Sequence, residues 1–147
     1  MLRDLGGVTT PYFRGANAVV LVFDLNACLE TLEKTREWLY EANEKCANDF
    51  ELFLVGTKKD MLSDVTDAQK IAVDYAVEYS AELWMTSAKT GQNVSDLFNR
   101  ITITTFENLI QKEISSLRKM ELAHNVIEKS TLIRVHVNDE NLSLIHI

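Results

Sequence analysis

The sequence predicts an α/β fold: a doubly wound arrangement of three parallel strands and three helices. Two observations predict it. Short continuous apolar runs, each ending at a polar or glycine-bearing turn, read as strands buried on both faces. Between and after them lie stretches of 10–20 residues whose apolar positions recur at steps of three and four, the helical period. The resulting order β-α-β-α-β-α needs crossover connections, which place strands parallel in one sheet. Three strands are fewer than a usual sheet holds, so the chain reads as part of a fold.

Met1 to Tyr12 carry no sustained periodicity and contain Gly6-Gly7 and Pro11, the composition of a loop. The first strand is Ala16–Asp24, apolar on both faces and closed by a carboxylate, with Asn26 as the N-cap of the following helix. That helix, from about Ala27 to about Cys46, turns Cys28, Leu32, Thr35, Leu39, Ala42 and Cys46 inward. Both cysteines fall on this stripe, which makes them core packing. The second strand is Glu51–Val55, followed by a turn over Gly56–Asp60. Thr66 and Gln69 form a capping box that opens a second helix with Ala68, Ile71, Ala72, Tyr75, Ala76 and Tyr79 inward. Ala81–Met85 is the third strand. Asn93 caps the last helix, which faces Val94, Leu97, Phe98, Ile101 and Thr105 inward. A second stripe of Ile103, Phe106, Ile110, Ile114 and Leu117 carries that helix past a usual domain edge. Beyond about Ala123 the pattern dissolves, and Leu132–Val137 has the makings of a short strand.

Composition bounds the function. The 147 residues are 46% apolar and 25% charged, ordinary for one soluble domain with a real core. A net charge of −7 with scattered basic residues argues against a nucleic-acid surface. Two cysteines are too few for a disulfide framework and have no metal-ligand spacing, which suits a reducing, intracellular setting. The longest apolar run, Ala18–Phe23, is far too short to span a bilayer, and no signal-peptide pattern opens the chain.

The chemistry concentrates at the carboxyl ends of the second and third strands, where ligands of open α/β sheets bind. Leu52–Val55 runs into Gly56-Thr57-Lys58-Lys59-Asp60, and the third strand runs into Thr86-Ser87-Ala88-Lys89 and a Thr90-Gly91 turn. Asp60 can accept two hydrogen bonds at once, from the ring N–H and the exocyclic amine of one base edge. Guanine offers that pair of donors and adenine does not. Lys58 and Lys89 can lay their alkyl stems along the two faces of a planar ring. The backbone N–H of Ala88 can donate to the base carbonyl, where a small residue lets the backbone approach, and Ser87 can brace the loop. The plainer reading makes the lysines solvated loop residues and Asp60 a turn former. Either motif alone favours the plainer reading; both together, in order and each at a strand end, favour a guanine site.

Tyr12-Phe13-Arg14-Gly15-Ala16, the strand into Phe23-Asp24, Trp38-Leu39, Val55–Asp60 and Thr86–Gly91 together resemble Rab-family small GTPases of the Ras superfamily. The resemblance covers roughly residues 2 to 115, with the Arg14-Gly15-Ala16 lead distinctively Rab-like. It implies the C-terminal part of a P-loop NTPase (Ras-like) sheet. The G domain would occupy residues 1–115 from switch II onward, and a hypervariable tail 116–147. Thr57 replaces the family's commoner Asn, which weakens one polar contact to the base. Thr57 and the Asp139-Glu140-Asn141-Leu142 tail look similar to the Rab branch linked to the Golgi, lysosome positioning and cilia.

The family's other half is not in the sequence. No G-x-x-x-x-G-K-[ST] loop is present to cradle phosphates and hold magnesium. Asp4-Leu5-Gly6-Gly7 matches the family's D-x-x-G in letters, but Asp4 stands too near Tyr12-Phe13 to be the magnesium-side aspartate. In an ungapped register Leu2 stands where the water-orienting glutamine belongs. No cysteine follows Cys46, so a prenyl anchor is not in this chain. His136 and His146 have no ligand partners at metal spacing. The resemblance therefore implies a fragment of a GTPase whose full-length parent binds GTP or GDP with magnesium. That parent would meet effectors and exchange factors in the cytoplasm, at the cytosolic face of Golgi or vesicle membranes, and control vesicle transport. The alternative is a short, non-catalytic module that recruits partners without nucleotide turnover.

Overall fold

The computed structural model describes residues 13–46, 49–62 and 67–145, with side chains to residue 128. Met1 to Tyr12, including Asp4, and the capping-box Thr66 lie outside the described residues, as does His146. The strands are β1 (Ala18–Asp24), β2 (Glu51–Thr57) and β3 (Glu82–Met85), and the helices are α1 (Cys28–Lys45), α2 (Asp67–Tyr79) and α3 (Val94–Ile145). The sheet order is β1-β2-β3 and both pairings are parallel, as the alternation of strands and helices requires. The register sets Asp24 beside Thr57 and Gly56 beside Met85, which brings the three strand ends together.

Two cores form on opposite faces of the sheet. On one face Leu21, Phe23 and Leu54 pack with Leu32 of α1 and Ala72, Tyr75 and Ala76 of α2. The predicted stripes of α1 and α2 supply this core, and Cys28 is buried within it as packing; burial pushes its thiol pKa up. The helices are also clamped by charge. The Arg36 guanidinium bonds both carboxylate oxygens of Glu78, at 2.5 and 3.0 Å, and lies 4.8 Å from the Tyr75 ring centre. On the other face Phe53 and Val55 pack against Leu97 of α3, with Ala18, Trp84 and Ile101 beside them.

Several expectations need correction. β1 begins at Ala18 and is covered unevenly: Leu21 and Phe23 are buried on one face, whereas on the other Ala18 is packed and Val22 is 57% exposed. β2 runs two residues past Val55, because Gly56 and Thr57 still pair with β1. Asn26 does not cap α1. Its N–H is itself bonded to the Asp24 carboxylate at 2.9 Å, which opens a 3-10 turn over Leu25–Ala27 before the helix starts. Asn93 stands just before the last helix and its carbonyl accepts the Leu97 N–H at 3.1 Å, while its side-chain amide goes to the Met85 carbonyl at 2.8 Å and also ties it to the end of β3. Phe98 is 63% exposed rather than inward, because Leu97 and Ile101 take the positions against the sheet.

The chain divides into two compact units, Met1–Thr105 and Phe106–Ile147. The second is helical throughout its described length, so Leu132–Val137 is helix and not strand. Extending an existing helix gains a hydrogen bond for each residue fixed, whereas a lone strand has no ladder to join.

Candidate functional site

β2 and β3 end side by side, and their loops are laced together. The Thr86 N–H donates to the Gly56 carbonyl at 2.8 Å, and the Lys59 N–H donates to the Thr86 carbonyl at 3.0 Å. Gly56 is required here by space: a Cβ would stand 2.8 Å from both the Leu25 and Phe23 side chains. After Thr57 the chain turns through Lys58, whose φ of 63 places it in the left-handed region. A 3-10 turn over Lys59–Met61 follows and carries Asp60 toward β3.

The two sequence motifs meet at one hydrogen bond. The fully buried Ser87 donates its hydroxyl to Asp60 Oδ1 at 2.5 Å and accepts the Thr90 N–H at 3.2 Å. The Ser87 backbone is fixed as well, its N–H on the Gln92 carbonyl at 3.1 Å and its carbonyl on the Gly91 N–H at 2.9 Å. A glycine serves at 91 because φ there is +77. An ionised carboxylate has about four lone-pair positions. One bond from Ser87 aims Asp60 and leaves acceptor capacity on an exposed group. Ala88 and Lys89 occupy the exposed turn directly after, so the Ala88 backbone is reachable from solvent.

Thr57 and Lys58 each make a bond within the protein. The Thr57 hydroxyl donates to the Phe23 carbonyl at 2.9 Å, stitching β2 to β1. The Lys58 ammonium bonds Asp24 Oδ2 at 2.5 Å. That ammonium, helped by the Asn26 N–H, holds the Asp24 carboxyl below its ordinary value of 3.8. Asp24 and Asn26 thus join the site, Asn26 also donating its amide to the Lys58 carbonyl at 3.4 Å. In the sequence Asp24 carries no assigned role beyond ending the first strand and belonging to the family resemblance. The signal that finds it is register: a carboxylate ending β1 must stand beside the residues that end β2. Among the described residues no three His, Cys, Asp or Glu side chains stand together to hold a metal ion. A cleft of about 810 Å³ between Arg36, Asn43, Phe50 and Ser80 opens at the other end of the strands and shares no residue with the motifs.

Sequence comparison assigns this fold to a family. The profile of the Ras family matches residues 4–107. The chain belongs to the Ras family. Its relatives are Rab proteins, the group named by the motif resemblance. Human Ras-related protein Rab-36 is 42% identical over 110 residues, covering 73% of this chain and 41% of that protein. Human Ras-related protein Rab-34 is 36% identical over 142 residues, covering 93% of this chain and 51% of that protein. Ras-related protein SEC4 of Saccharomyces cerevisiae is 33% identical over 109 residues, covering 74% of this chain and 47% of that protein. The chain spans about half the length of the curated relatives it matches. Among the described residues no helix is long and apolar enough to cross a membrane.

Proposed function

We propose that residues 1–115 are the guanine-reading part of a Rab-type GTPase G domain, followed by a hypervariable tail over 116–147. Asp60 reads the base N1–H and exocyclic amine, the Ala88 N–H meets the base carbonyl, and Lys58 and Lys89 flank the ring. Thr57 ties the strand ends beneath it, and Ser87 aims Asp60. The observation that carries this reading is the Ser87–Asp60 hydrogen bond, which unites two motifs 27 residues apart at one place.

The whole protein then binds GTP or GDP, with magnesium held by parts outside this sequence. It exchanges effector and exchange-factor partners with its nucleotide state, and regulates vesicle traffic from the cytosolic face of Golgi or vesicle membranes. Lys58 lays its alkyl stem on the ring, a position compatible with its ammonium staying on Asp24.

The test uses the full-length parent with Asp60→Asn, which trades an acceptor for a donor. GTP affinity falls by two orders of magnitude or so, and xanthosine triphosphate, with a carbonyl at C2, gains affinity. Unchanged GTP affinity overturns the assignment. A nucleotide titration of the 147-residue chain, with and without magnesium, separates this reading from a module that recruits partners by itself.

A further inference from the structure

Lys58 and Lys89 bring the same stem and ammonium to the strand-end loops, yet only Lys58 is tied down. Its ammonium bonds Asp24 Oδ2 at 2.5 Å, whereas among the described residues no partner holds the Lys89 ammonium. The Asp24–Lys58 pair gains little stability, because the Lys58 side chain is 57% exposed and water screens the attraction. Its effect is on position.

Asp24 is itself held in place. Its N–H donates to the Thr31 hydroxyl at 3.0 Å, and that hydroxyl donates to the Ala27 carbonyl at 2.8 Å, so α1 fixes the Asp24 backbone. The Asn26 N–H donates to Asp24 Oδ1 at 2.9 Å and restrains the carboxylate. The second oxygen, Oδ2, is the one that meets Lys58. At the other end of the stem the Lys58 backbone has φ 63, and its carbonyl accepts the Asn26 amide at 3.4 Å. The stem is thus restrained at both ends. The sheet order β1-β2-β3 puts the anchoring Asp24 on the side of β2 away from the β3 loop, which carries Ala88 and Lys89. A ring seated between the loops meets a Lys58 wall that already stands and a Lys89 wall that must still be ordered.

We propose that Asp24 is a positioning residue for guanine nucleotide binding, holding the Lys58 stem in place before the base arrives. This role rests on the base-reading function given above for Lys58 and Asp60. Asp24 acts through Lys58 and not on the ligand, by removing beforehand the entropy that a free lysine loses on binding.

The test measures GDP release from the full-length parent. Asp24→Asn keeps the size of the side chain and removes its charge. GDP release then quickens by on the order of fivefold, the scale of one long side chain left unrestrained. In a Lys58→Met background, which keeps an unbranched stem without the ammonium, Asp24→Asn has no further effect. In a Lys89→Ala background the full factor remains. A merely structural contribution of Asp24 would act equally in both backgrounds, so the difference isolates the path through Lys58. Glu30→Gln, which breaks an exposed pair with Lys34 on α1, leaves release unchanged.

Unchanged release from Asp24→Asn overturns the proposal, as does the same factor in the Lys58→Met background or an equal effect of Glu30→Gln. Slower release overturns it too, because the pair would then be holding Lys58 off the ring. Asp60→Asn separates the two levels. If it weakens GDP binding while Asp24→Asn does not, positioning fails and base reading stands. If GDP binding is indifferent to Asp60→Asn, base reading fails and the role of Asp24 falls with it.

Discussion

β1 and β2 lie side by side in parallel register with similarly apolar sequences, yet they are buried differently. β2 is covered on both faces, with Leu54 under α1 and α2 and Phe53 and Val55 under α3. β1 is covered fully on one face, where Leu21 and Phe23 are buried, and on the other only at Ala18, so Val20 and Val22 stand open. β1 is also an end strand of the described sheet, hydrogen-bonded along one edge only. Burial is a property of what arrives from elsewhere in the chain, while apolarity belongs to the strand itself. An unpaired edge and an uncovered apolar face on the same strand form a ready template for further pairing.

The comparison can be broken by unfolding measurements, the largest effect first. Phe53→Ala should cost about 3–5 kcal/mol, whereas Val22→Ala should stay within about 0.5 kcal/mol. Similar losses in urea denaturation would mean that the β1 face is covered after all. Gly56→Ala should cost about 1–3 kcal/mol by the same assay, since its methyl must displace Leu25 and Phe23 in the packed core. A neutral result would show that this core yields more easily than its burial implies. Ser87→Ala removes a hydrogen bond to a carboxylate and should cost about 1 kcal/mol. It should also weaken the parent's GTP affinity, and retention of that affinity would leave Asp60 held by other means.

The smallest effect is at the end of β1. Asp24→Asn should cost less than about 1 kcal/mol, because the Lys58 ammonium is largely exposed. Its pH dependence has a definite sign. The folded carboxyl titrates below 3.8, so its stabilising contribution is complete above that value and is lost as pH falls through the depressed one. The difference between wild type and Asp24→Asn should therefore be flat near neutrality and vanish only in acid. A difference that vanishes between pH 5 and 7 would rule out the Lys58 pairing.

Much of this was legible in the sequence because it depends on local pattern. The stripes of α1 and α2 follow from helical spacing, and Leu32, Ala42, Ala72 and Ala76 are buried as that spacing requires. The strands and their parallel pairing follow from alternation with helices. Of the candidate site, the identities at Asp60 and Ser87 and their placement at strand ends were legible; their direct bond was not, because it depends on the turn through Lys58. What pattern could not give is competition between equals. Leu97 and Phe98 are adjacent and both apolar, and only the position of β2 decides which faces inward. Asn26 and Asp24 could each open a turn, and the carboxylate prevails because it also meets Lys58.

The lacing between the β2 and β3 loops has a kinetic consequence. The bonds from Thr86 to Gly56, Lys59 to Thr86 and Ser87 to Asp60 form within the protein and need no ligand. The conformational entropy of ordering both loops is thus charged to folding, and a planar guest entering there meets a finished mould. Such a mould shifts little between its empty and filled states, so the amides of Lys59 and Thr86 should exchange their hydrogens slowly in both. On the proposed base-reading role, discrimination among bases persists while the rest of the nucleotide is altered.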